Sequence, residues 1–188
     1  MDTVATMSKV IAETKRVVDG IEPAQLDNPS PCDGWTVRDV LNHVTGGAEM
    51  FAVCVRDGAM SDEQLVALMG DNLGSDYKGS FLKAADDAEA AFEIPGAMDR
   101  VVKLPFGEMP AEMALNIAIF DVTTHAWDLA KATGQSTDLD PEVSTIAYEV
   151  AQALIDDMRT AGLFGPSVAV PEDAPMADRL AGLAGRTP

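Results

Sequence analysis

The chain has only two histidines, His43 and His125, so mechanisms that need several imidazoles are excluded. Asp121 stands four residues before His125. On a helix that is about one turn, so carboxylate and imidazole point into the same volume. An oxygen and a nitrogen donor at this spacing, D-x-x-x-H, can hold a metal as the two histidines of an HExxH helix do. The same spacing also suits an ordinary hydrogen-bonded pair. His43, on a different helix, is the third candidate donor. Two histidines and one aspartate make a three-ligand site that keeps a position open for water or substrate. A closed structural zinc site wants four ligands, usually with cysteine. Such a donor set suits zinc as the default ion, with nickel, iron or manganese as alternatives. In the competing reading His43 is a core histidine and Asp121–His125 a buried pair without metal.

The helix that carries Asp121 and His125 runs from about Pro110 to Thr133, with Gly134 as its stop. At roughly 100° per residue, Met113, Leu115, Ile117, Ile119, Phe120, Val122, Trp127 and Leu129 cover almost its whole circumference, the pattern of a buried helix. Asp121, Thr124, His125 and Asp128 share one arc of that circumference. A buried carboxylate without a partner costs several kcal/mol, so this arc needs a compensating group. Thr124 and Asp128 are expected to support the donors or to contact substrate, with plain helix packing as the alternative.

His43 belongs to a helix that starts after Thr36, where Thr36 and Asp39 have the spacing of a capping box, and ends near Arg56. Its apolar stripe is Val37, Val40, Leu41, Val44, Phe51 and Val55, with His43 on the flank. Gly46 and Gly47 in mid-helix suggest a close approach to the backbone, since each costs about 1 kcal/mol relative to alanine. Before this helix lies a loop rich in proline and glycine, from Leu26 to Trp35. Regular structure is not expected there, and Trp35 reads as a staple for it. Other helices are expected from Val4 to about Gly20, around Ser61–Leu68, from Phe81 to Phe92, and after Asp140-Pro141. A short one is expected around Met176–Leu183, and Arg100 to Gly107 reads as an extended segment.

Thirteen Lys and Arg stand against thirty-one Asp and Glu, a net charge of −18. That surface repels phosphate backbones and anionic lipid, so neither nucleic acid nor membrane is an expected partner. A small anionic substrate would need a local positive centre, and the arginines are scattered at 16, 38, 56, 100, 159, 179 and 186. The opening Met1-Asp2-Thr3-Val4 has no basic n-region. Cys32 and Cys54 do not make a disulfide framework or a CxxC motif, and both read as structural, with a fourth metal ligand or a reactive thiol as the alternatives for Cys54. A cytoplasmic location is expected.

Pro31-Cys32-Asp33-Gly34-Trp35-Thr36-Val37-Arg38-Asp39-Val40-Leu41-Asn42-His43 resembles the loop-to-helix signature of the mycothiol-dependent maleylpyruvate isomerase N-terminal family. That family belongs to the DinB-like metal-binding bundles. Asp121-Val122-Thr123-Thr124-His125-Ala126-Trp127-Asp128-Leu129-Ala130 is similar to its second signature. Leu104 to Pro110 and the stretch Arg179 to Arg186 are similar to its single-domain branch. The resemblance implies an all-α, DinB-like four-helix bundle with an extra short C-terminal helix and room for a small strand pair. It places metal ligands on His43, Asp121 and His125, and implies mycothiol or a similar thiol as cosubstrate. Residues 1–165 are expected to form the metal-binding bundle, and 166–188 a tail whose short helix packs on it.

The function expected is therefore a metal-dependent thiol transferase or isomerase acting on a small electrophile. The alternative is a non-catalytic metal-binding module for stress or sensing. A homodimer is left open. The second domain that helps hold the maleylpyruvate carboxylates in the isomerase proper is not expected to have a counterpart among the 23 residues after Gly165.

Overall fold

The computed structural model describes residues 2–160, 162 and 164–188. The expected all-α architecture is the one observed, with a two-stranded sheet. Helices α1 (Thr3–Asp19), α2 (Val37–Asp57), α3 (Asp62–Leu68) and α4 (Tyr77–Phe92) come first. The antiparallel strands β1 (Val101–Leu104) and β2 (Gly107–Pro110) follow, and then α5 (Ala111–Ala132), α6 (Pro141–Thr160) and α7 (Met176–Leu183). By its internal contacts the chain divides into two compact units, residues 1–11 with 41–118 and residues 12–40 with 119–188. Helices α1, α2 and α5 each continue from one unit into the other.

In the first unit α4 buries Phe81, Ala84, Ala85, Ala88, Ala91 and Phe92. Alanines at this spacing give α4 a slim apolar stripe. Ser61 caps α3 in a reciprocal pair with Gln64. The turn after α3 docks on α2: Asn72 N–H donates to Asn42 Oδ1 (2.7 Å), and Asn42 Nδ2 donates to the Gly70 carbonyl (3.1 Å). This accounts for one of the paired glycines. A Cβ on Gly46 would fall 2.7 Å from Asn72, whereas nothing lies within 4 Å of one on Gly47. The close approach expected at both glycines holds at Gly46 only, and a loop of the protein makes it.

The sheet differs from expectation at one end. Val101 pairs with Pro110, so Pro110 ends β2 instead of starting α5. Proline is tolerated at a strand end, where its missing N–H breaks no ladder bond. The neighbouring Ala111 N–H donates to the Arg100 carbonyl (2.8 Å) and carries the pairing into the first residue of α5.

In the second unit the loop before α2 is more ordered than its prolines suggest. Pro23–Gln25 is a 3-10 turn, and Pro29 forms a β-bridge with Thr36. Gln25 Nε2 and Asn28 Nδ2 donate to the Thr133 and Ala132 carbonyls (3.0 and 3.2 Å), and so satisfy the C-terminal end of α5. The Thr36–Asp39 box forms as expected: the Thr36 N–H donates to Asp39 Oδ2 (2.8 Å) and the Asp39 N–H to Thr36 Oγ1 (3.2 Å). Asp140 caps α6 through the N–H groups of Glu142 and Val143 (2.9 and 3.0 Å). Helix α7 packs on α6. It is pinned to α5 by Trp127 Nε1, which donates to Asp178 Oδ1 (2.8 Å).

Candidate metal centre

From Ala118 to Ala130 helix α5 is buried except at Asp121 and Val122, which are half-buried. His125 is buried and Asp128 has no exposed surface at all. The polar arc therefore runs into the interior, and each of its members has a partner there. Thr124 Oγ1 donates to the Phe120 carbonyl (2.9 Å), the usual way for a threonine in mid-helix to satisfy its hydroxyl. Asp128 Oδ2 lies 2.9 Å from His125 Nδ1. Arg186, from the segment after α7, donates to both oxygens of the same carboxylate: Nε to Oδ1 (3.1 Å) and Nη2 to Oδ2 (2.8 Å). Its Nη1 donates to the Ala184 carbonyl (2.8 Å).

Burial by itself would raise the Asp128 pKa. The hydrogen bonds from His125 and Arg186 outweigh that and hold it below the ordinary aspartate value. Asp128 is thus an ionised carboxylate, and a carboxylate can only accept. A neutral His125 must then carry its proton on Nδ1, which makes Nε2 the unprotonated nitrogen.

Nε2 faces Asp121 Oδ1 at 3.6 Å. That is too long for a hydrogen bond. Two ligand atoms each about 2.1 Å from a shared tetrahedral zinc ion lie about 3.4 Å apart, so the separation fits a common cation. His43 stands on α2 in the first unit, and Asp121 and His125 stand on α5 in the second. His43 and Asp121 are both open to solvent in part. His43 flanks the apolar stripe of α2, and that flank stays wet. Two imidazoles and one carboxylate, if brought together, would suit a divalent metal with a position left open.

Within the second unit, one donor atom each from Cys32, His125 and Asp128 lie within 4.8 Å of one another. A guanidinium already occupies both oxygens of Asp128, so a metal ion there would sit against a fixed positive charge. The structure brings Cys32 here through a tight turn in which the Ser30 N–H donates to the Trp35 carbonyl (2.8 Å) and the Trp35 N–H to the Cys32 carbonyl (3.0 Å). Gly34, at φ +76°, supplies the left-handed residue of that turn. Burial pushes the Cys32 thiol up, and nearby Asp128, Asp121 and Asp33 add to this against the opposing pull of Arg186. Trp35 proves to be more than a staple: its ring stacks on that of His125, with centroids 5.8 Å apart and planes 10° apart. Cys54 is buried, and its Sγ lies 3.3 Å from the Lys103 carbonyl. It sits eleven residues along α2 from His43, about 16 Å, and is not a fourth donor.

Arg186 is the residue that sequence reasoning missed. The signal for it was the demand of Asp128 for a positive partner inside an apolar helix.

Residues 7–130 match the mycothiol maleylpyruvate isomerase N-terminal domain family. Uncharacterized proteins from two strains of Mycobacterium tuberculosis are each 39% identical to the chain over 168 residues, covering 87% of this chain and 86% of theirs. Among solved structures, mycothiol-dependent maleylpyruvate isomerase superposes with a TM-score of 0.72 at 16% identity, and a mutant of that enzyme with 0.73 at 18%. Both superpositions cover 98% of this chain and 88% of the other. At such identity the likeness is one of fold, the DinB-like helical bundle.

Proposed function

The chain belongs to the mycothiol maleylpyruvate isomerase N-terminal domain family, and from that membership we propose that it is a metal-dependent enzyme of thiol chemistry, a transferase or isomerase acting on a small electrophile. His43, Asp121 and His125 hold the ion, with zinc the default for this donor set. Residues 1–165 form the metal-binding bundle and 166–188 the segment that packs on it. The thiol is mycothiol or a similar small thiol, as in the name of the solved relative. When bound, the metal would lower the pKa of a thiol at its open position and so supply the nucleophile.

The observation that carries this reading is the division of labour on His125. Its Nδ1 is committed to Asp128, and its Nε2 faces Asp121 across a gap that fits a cation and not a hydrogen bond. Every other residue of the site has a supporting task. Trp35 covers one face of the His125 ring. Thr124 spends its hydroxyl on the Phe120 carbonyl of α5 itself, as plain helix packing would have it, and Asp128, with no surface to offer a substrate, supports His125. Cys32 stays a protonated thiol because burial and three carboxylates disfavour its charge. With both histidines committed to metal, no imidazole is left to activate a protein nucleophile.

Cobalt substitution tests the proposal. Adding a small thiol to the cobalt protein is expected to produce a sulfur-to-metal charge-transfer band. The band should persist in the Cys32→Ser, Cys54→Ser double variant and vanish in Asp121→Ala. Loss of the band in the cysteine variant alone would move the sulfur into the protein and overturn the external-thiol mechanism.

A further inference from the structure

Three groups converge on the buried side of His125, and none of them is a metal donor in the reading above. Asp128 accepts at Nδ1, Arg186 grips Asp128 with two parallel bonds, and Trp35 lies flat against the ring. The whole chain of contacts is buried: Asp128 shows no surface and Arg186 is 8% exposed. The guanidinium is anchored in turn by the Ala184 carbonyl and lies beneath the Phe164 ring, 5.8 Å from its centroid. A carboxylate held at one oxygen can rotate about its last bond. One held at both oxygens by a planar fork cannot, and only arginine presents that fork.

We infer that Arg186 is a positioning residue. Acting through Asp128, it locks His125 as the Nδ1–H tautomer and thereby makes Nε2 the unprotonated nitrogen of the ring. The inference rests on the proposed role of His125 as a donor, but the tautomer itself is a property of the metal-free chain. A histidine side chain in water prefers the opposite form, with the proton on Nε2, so the lock has a direction that can be read. It also gives the segment after α7 a function, since Arg186 lies 58 residues from the carboxylate that it orients.

Nitrogen-15 NMR of the ring nitrogens in the metal-free protein at alkaline pH, where imidazole is neutral, tests the inference. With only two histidines, a His43→Gln background leaves His125 as the single ring in the spectrum. Expected is one tautomer in the wild-type interior, with Nδ1 protonated and Nε2 bare. Arg186→Lys, which offers one prong instead of two, should give a mixture. Because losing one partner of a buried ion pair can unfold a protein, the decisive variant replaces both, Asp128→Leu with Arg186→Met. It should fold, shift the ring to the Nε2–H form and, with His43 restored, bind zinc about 10- to 100-fold more weakly, the usual scale for losing such support. An Nε2–H tautomer in the parent protein would overturn the inference, and so would an unchanged tautomer in the double variant. A parent protein that has the Nδ1–H form, loses it in the variants and never binds zinc would uphold the positioning role while ending the metal reading.

Discussion

His43 and His125 differ in how much the fold depends on them. His125 is buried among Asp128, Trp35 and Asp121, whereas His43 stands on α2 open to solvent in part. Truncating His43 creates no sealed cavity, so His43→Ala should change the stability of the metal-free protein by less than about 1 kcal/mol. It should nevertheless weaken zinc binding by more than about 100-fold, since losing a ligand costs more than losing an outer-shell partner. Circular dichroism melts beside a zinc titration check both halves. A variant that is unfolded even with excess zinc would mean that His43 serves the core first. At this scale the sequence was readable wherever helical periodicity links the residues: Asp121, Thr124, His125 and Asp128 lie on one arc and the structure keeps them together. Arg186 was not readable, because one of seven scattered arginines meets Asp128 only through the tertiary fold. The contact of Trp35 with His125 depends on the Gly34 turn in the same way.

Helix α2 has a start signal that can be tested by pH. The Thr36 hydroxyl, first, and the Thr36 N–H, second, bond to the Asp39 carboxylate and hold its pKa below the ordinary aspartate value. A carboxyl whose pKa is lowered by folding stabilises the fold above its unfolded value, near 4, and loses that contribution as pH falls through the folded value. Asp39→Ala should therefore cost about 0.5–1 kcal/mol at neutral pH, with solvent screening keeping it modest. In urea melts the gap to wild type should stay constant from pH 7 to pH 5 and close below about pH 4. A gap that widens in acid would contradict the capping role. The box was legible because it is local, as were the Asp140 cap of α6 and the short α7. Pro110 was misplaced because proline suits both a helix start and a strand end, and pairing with Val101 decided between them. Gly46 could be read as a close approach, but its partner Asn72 lies in a loop whose path the sequence does not encode locally.

At the scale of the whole molecule, the net charge of −18 repels anions, yet the proposed chemistry needs a thiolate. A divalent ion balanced by Asp121 alone among the three donors would leave about one positive charge for that thiolate, since both imidazoles are neutral ligands. Arg186 cannot serve instead, because Asp128 occupies its fork. The segment after Gly165 takes part through two links to α5, Trp127–Asp178 and Asp128–Arg186, so it belongs to the same folded unit as Asp121 and His125. The fold class could be recognised from two motifs, whereas how this segment reaches α5 could not. The proposed function depends on the metal, and metal content is the direct test. The purified protein is stripped with EDTA, reconstituted with zinc, freed of excess and analysed for its elements, beside His125→Ala. The account predicts about one zinc per chain in the wild type and none retained in the variant. No stoichiometric metal in the wild type, or the same stoichiometry in His125→Ala, would contradict it.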